Sequence, residues 1–166
     1  RLDRSPVDIR ALLDDVQEAL TPQARDAGVR IETQGDASVV ADIDPIRMRQ
    51  VLDNIVANAL RYTPSGGMIV LDVTHTQPEV RVEIRDTGRG LPPEDAARMF
   101  DRFVKAADSG GSGLGLAIAR QIVDNHGGRI EAVNRTAGGL CVSVYLPRNA
   151  AGCDGSAPEG GATAPD

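Results

Sequence analysis

Apolar residues recur at helical spacing near the start of the chain. Ile9, Leu12, Leu13, Val16, Ala19 and Leu20 share one face of a predicted helix from Val7 to Ala27, with Gly28 as its stop. Two short β-prone runs follow, Val29 to Thr33 and Ser38 to Ala41, and the Gly35-Asp36 turn between them predicts a hairpin. Asp44-Pro45 then reads as a helix start, Asp as N-cap and Pro at the first helical position. That helix runs to Tyr62 and ends before Thr63-Pro64-Ser65-Gly66-Gly67. Strands are predicted at Met68 to Thr76 and Val80 to Asp86. The second alternates apolar Val80, Val82 and Ile84 with charged Arg81, Glu83 and Arg85.

A short helix from Pro93 to Phe100 and a polar stretch lead to a glycine cluster, Gly110 to Gly115. An apolar-faced helix, Leu114 to Asn125, follows and closes at Gly127-Gly128. Final strands are predicted at Arg129 to Asn134 and Leu140 to Leu146. From Arg148 onward Gly, Ala, Pro, Ser and Asp dominate, which reads as a disordered tail, 148–166. Strands joined by short turns exclude a purely parallel, doubly wound sheet. The pattern fits an α/β two-layer sandwich: a mixed, mostly antiparallel sheet of about five strands with three main helices on one face.

Composition narrows the function. A hydrophobic share of 41% and 166 residues suffice for one domain with a real core. Aromatics at 2% leave no stacking platform for single-stranded nucleic acid, and a net charge of -6 opposes broad contact with nucleic acid or an anionic membrane. No apolar run approaches the ~20 residues that cross a bilayer. Cys141 and Cys153 sit in unlike settings and suggest neither a disulfide framework nor a metal site, so a reducing compartment is the natural reading.

Three constellations carry chemistry. On the helix from Asp44 to Tyr62, Asn54, Asn58 and Arg61 are spaced by four and three residues, opposite the buried stripe. They read either as a solvated polar face or as a ligand face, since an amide oxygen is a hard neutral ligand for Mg²⁺ and Arg binds phosphate. Asp86-Thr87-Gly88-Arg89-Gly90 ends the alternating strand. It is either a plain Asp/Gly turn or a carboxylate that accepts from the exocyclic amine of adenine. Gly110-Gly111-Ser112-Gly113-Leu114-Gly115-Leu116 runs into a helix and is either a flexible cap or a phosphate cradle. It is no Walker loop, because no Lys-Ser or Lys-Thr follows the glycines.

The order and spacing of these segments resemble the histidine kinase branch of the ATPase superfamily that includes gyrase, mismatch-repair ATPases and a heat-shock chaperone. Asn54 to Pro64 looks like its asparagine box, Asp86 to Leu91 like its first glycine box, and Phe100-Asp101-Arg102-Phe103 like its phenylalanine box. Gly111 to Ile118, followed by His126-Gly127-Gly128, looks like its second glycine box. The resemblance covers roughly residues 5 to 147 and implies a Bergerat fold holding ATP and Mg²⁺. It implies Asn58 on Mg²⁺, Asn54 and Arg61 at the phosphates, and Asp86 on the adenine amine. Gly88, Gly90, Gly113, Gly115 and Leu116 would shape the pocket, with Tyr62 along its edge. A lid from Leu91 to about Ser112, including Gly111 and leading into Leu114, would close over the nucleotide. Lys105, the only lysine, is there either a phosphate contact or a surface charge.

The phosphoacceptor itself is missing. Neither His75 nor His126 carries the pattern of the family's histidine box, and Ser5 to Leu20 looks like the segment after a dimerising helical hairpin lost upstream. The implied partners are therefore a histidine phosphotransfer domain of the same protein and a response regulator receiver domain. The full protein would be homodimeric and membrane-anchored, with this domain cytoplasmic and monomeric on its own. A serine kinase acting on an anti-sigma antagonist and a non-catalytic scaffold are the rival readings. The stretch from Val104 to Ser109 is shorter than in many relatives, which weakens the case for phosphate contacts from the lid. Leu140-Cys141 stands where relatives often have threonine.

Overall fold

The computed structural model describes residues 1–76, 78–101 and 115–148. Predictions at Arg102, Phe103, Lys105, Gly111, Ser112, Gly113, Leu114 and the tail from 149 lie outside the described residues. Strand β1 (Ser5–Asp8) enters helix α1 (Ile9–Ala27), whose N-cap Asp8 accepts from the N–H groups of Arg10 and Ala11. Strands β2 (Arg30–Gly35) and β3 (Val40–Ile43) precede helix α2 (Pro45–Tyr62). Oδ1 of Asp44 caps α2 at 3.1 Å from the N–H groups of both Ile46 and Arg47. Next come β4 (Met68–His75), β5 (Glu79–Asp86), the short α3 (Pro93–Arg98), α4 (Gly115–Asn125), β6 (Arg129–Asn134) and β7 (Leu140–Pro147).

Five strands form one sheet in the order β2-β4-β5-β7-β6, with β2–β4 parallel and the other pairs antiparallel. Register puts Val73 beside Val82, Val82 beside Val144, and Val144 beside Ile130. This row and the Leu71, Ile84, Val142 row face the helices, where they pack with Leu13 and Val16 of α1, Val51 and Ile55 of α2, and Ala119 and Val123 of α4. The other face is polar: Arg85 Nη2 lies 2.9 Å from Asp72 and Arg129 Nη1 2.9 Å from Glu79. The expected sandwich is thus present. Among the described residues no helix is long and apolar enough to cross a membrane.

Two local expectations are corrected. The first helix begins at Ile9, because Ser5–Asp8 is drawn into an antiparallel pair with β3, Ser5 opposite Ile43. The hairpin between the second and third strands does not form; β2 pairs in parallel with β4 instead. Asp36 shows why. Its N–H donates to the Val73 carbonyl at 2.8 Å, and its carboxylate accepts from the His75 N–H at 3.1 Å and faces His75 Nδ1 at 2.8 Å. The supposed turn is pinned to the end of β4 and cannot fold back on β2. A parallel pair needs a long crossover, which β3 and α2 supply.

Candidate nucleotide-binding site

The outward stripe of α2 is the backbone of the site. Asn54, Asn58 and Tyr62 succeed one another at one-turn intervals and are each half-buried, while Arg61 is exposed in the last turn. Asn54 Nδ2 donates to the carbonyl of Gly115 at 3.0 Å, joining α2 to the first turn of α4, where Leu116 is half-buried against the core. Two turns further on, Gly88 sits against the Tyr62 carbonyl so closely that a Cβ at position 88 would overlap that oxygen. From Asn54 to Tyr62 the helix rises about 12 Å. The α4 contact and the first glycine loop thus lie at two ends of one stripe of α2, with Asn58 midway.

Asp86 lies at the second end and is 3% exposed. Its Oδ1 accepts from the N–H of Gly88 at 2.9 Å and of Leu140 at 3.2 Å. Burial pushes its carboxyl above the ordinary carboxylate range, against the pull of those two N–H groups and the nearby Arg135. Among the described residues, Oδ2 of Asp86 and the side-chain amide of Asn58 make no hydrogen bond. A buried carboxylate with one oxygen held by the protein offers the other to a donor. No cluster of three or more His, Cys, Asp or Glu able to hold a metal occurs among the described residues. A cation here would therefore draw on neutral oxygens such as the Asn58 amide and on the ligand's own phosphates, a donor set that suits Mg²⁺.

Leu91 is held by a residue the sequence did not flag. Asn134 accepts from the Leu91 N–H at 3.0 Å and donates to the Leu91 carbonyl at 2.6 Å. Arg135 Nη1 donates to the Asp86 carbonyl at 2.7 Å. Gly139, at φ +95°, lets the β6–β7 turn lie on Asp86; a Cβ there would overlap the Asp86 carbonyl. The Gly138-Gly139 doublet was the available signal for a tight turn, but nothing local indicates what the turn rests on.

The histidines take no part in these contacts. His75 is exposed. His126, 1% exposed, accepts at Nε2 from the Asp44 N–H at 3.0 Å, and Nδ1 lies 2.8 Å from the Ile122 carbonyl, so Nδ1 carries the proton. It ties the end of α4 to the start of α2. Burial lowers its pKa, with Arg4 adding to the effect and Asp44 and Asp42 opposing it.

Comparison with known proteins bears on the family and the fold. The sensor protein DivL of Caulobacter vibrioides is 37% identical over 148 residues, which are 88% of this chain and 19% of DivL. The catalytic domain of histidine kinase ThkA superposes with a TM-score of 0.81 at 27% identity, covering 89% of this chain and 99% of that domain. The same kinase has been solved in complex with a response regulator protein, TrrA. Full-length ShkA in complex with AMPPNP matches at TM-score 0.78 and 31% identity, over 89% of this chain and 31% of ShkA. The chain spans 15% to 39% of the length of the curated relatives it matches. A family profile described as histidine kinase-, DNA gyrase B-, and HSP90-like ATPase matches residues 43–150. With that match across most of its length and the fold of a histidine kinase catalytic domain, the chain belongs to the histidine kinase-, DNA gyrase B- and HSP90-like ATPase family.

Proposed function

We propose that this domain binds MgATP along α2 and transfers the γ-phosphate to a histidine on a separate dimerisation domain of the same protein. The phosphate then passes to an aspartate of a response regulator. The supporting observation is that one stripe of α2 joins the Asn54–Gly115 contact to the Tyr62–Gly88 contact, where Gly88 is bonded to the buried Asp86. Adenine belongs at the buried carboxylate, where an amine donor meets Oδ2 of Asp86. The phosphates belong toward Asn54 and the start of α4, with Arg61 on the same stripe. Asn58 would hold Mg²⁺, which offsets the phosphate charge. Phosphoryl transfer depends on positioning and charge more than on covalent help from the protein, so a domain that orients ATP needs no nucleophile of its own. In the full-length protein this domain would sit on the cytoplasmic side of a membrane-anchored homodimer.

Titration calorimetry tests the site. Asp86→Asn turns an acceptor into a potential donor facing the adenine amine; losing a hydrogen bond to a charged group costs about 1.5–3 kcal/mol, roughly ten- to a hundredfold in affinity. Asn58→Ala should weaken ATP binding with Mg²⁺ present and leave it unchanged in EDTA. Wild-type affinity in both variants would refute the site. Labelled phosphate appearing on a supplied histidine hairpin, and not on a serine substrate, would establish the reaction.

A further inference from the structure

We infer that Asn134 and Arg135, adjacent at the end of β6, are positioning residues for the base-recognition end of this site. The inference rests on the proposed ATP reading, because it gives those residues a task at Asp86. Three elements meet there. Arg135 Nη1 holds the main-chain carbonyl of Asp86 at 2.7 Å, and Leu140, across the same turn, holds its side chain through Oδ1 at 3.2 Å. Asn134 brackets both backbone groups of Leu91, five residues after Asp86. The turn is itself closed, with the Arg135 N–H on the Gly139 carbonyl at 2.8 Å and the Gly138 N–H on the Arg135 carbonyl at 3.1 Å. One hairpin thereby fixes both ends of the glycine loop and the carboxylate that begins it.

The alternative is ordinary fold maintenance, and the chemistry argues against it. Arg135 is half-buried in a chain with 24 acidic residues, yet this donor goes to a neutral carbonyl beside a desolvated carboxylate. Its charge there favours the ionised form of Asp86, which is the form that accepts from an amine. Two N–H groups fill Oδ1, so Oδ2 is the oxygen presented to the base. Removing Arg135 should leave the carboxylate harder to ionise and its carbonyl untethered.

The experiment measures ADP and IDP affinity from about pH 4 to 8.5, a range that reaches down to the ordinary carboxylate region, for the wild-type chain, Arg135→Met, Arg135→Lys, Asn134→Ala and Asp86→Asn. IDP carries a 6-oxo group where adenine has its amine. Loss of one buried hydrogen bond predicts a roughly three- to tenfold loss of ADP affinity in Arg135→Met. IDP affinity should be unchanged, and the acid limb of the ADP profile should move to higher pH. Arg135→Lys should return that limb toward wild type. Asn134→Ala, altering an exposed side chain, should lower ADP affinity more than IDP affinity and serves if Arg135→Met fails to fold. Equal losses for ADP and IDP with an unmoved acid limb would overturn the inference. So would wild-type ADP binding in Arg135→Met beside a weakened Asp86→Asn, which leaves the ATP reading standing. Unaltered ADP binding in Asp86→Asn would remove both.

Discussion

Acidification should loosen the junction between α4 and α2 before it affects Asp44 or Asp72. His126 is buried with Nε2 accepting from the Asp44 N–H, so protonation would set two donors against each other at 3.0 Å. Its folded pKa lies below the ordinary 6.5. The unfolded chain therefore binds the extra proton first. The stability that His126 contributes is complete above about pH 6.5 and is lost as pH falls below it toward the folded pKa. One proton limits the slope to about 1.4 kcal/mol per pH unit. Asp44 and Asp72, both held below 3.8, lose their contributions only at far lower pH. Asp86, raised by burial, acts in the opposite sense, stabilising less as pH rises through its folded value. Urea unfolding at pH 7.5, 6.5 and 5.5, wild type against His126→Gln, separates these terms. The wild type should lose stability across that window relative to the variant, whose amide stays neutral throughout. At neutral pH, His126→Ala should cost about 3–5 kcal/mol, since it empties a large buried site and strands the Asp44 N–H. Parallel pH dependence in wild type and His126→Gln would refute the argument.

Two further outcomes can be checked by thermal or urea unfolding. Asp44→Ala removes the cap from α2, which costs about 1 kcal/mol for such caps; an unchanged midpoint would contradict the assigned cap. Gly139→Ala forces a side chain into a left-handed conformation, about 1–2 kcal/mol, and pushes its Cβ against the Asp86 carbonyl. Both stability and adenine nucleotide affinity should fall, and intact affinity would show that the turn does not bear on Asp86.

Where the chain's own chemistry was distinctive, its sequence was readable. Asp44-Pro45 marked the start of α2, and the alternation from Val80 to Ile84 marked a strand with one wet face. Asn54, Asp86 and Gly88 stood out because amides stacked on a helix and a carboxylate between a strand and glycines serve a plain surface poorly. What remained hidden depends on partners far along the chain. Alternation in Val29 to Thr33 marks a strand but not its neighbour, and Ser5–Asp8, with one apolar residue, is a strand only because β3 lies beside it. Asn134 and Arg135 look like ordinary polar residues until folding brings Leu91 and Asp86 to them.

The parallel pairing of β2 with β4 also bears on where this domain may be cut. The family match starts at residue 43, yet α1 and β2 lie before it and cover Ile69, Leu71 and Val73 and the hydrogen-bonding rim of β4. A fragment trimmed to the recognisable motifs would carry the α2 stripe and the first glycine loop and still present a bare apolar strand to its neighbours, an invitation to edge-to-edge aggregation. The smallest piece that keeps β4 covered is larger than the smallest piece that can be recognised.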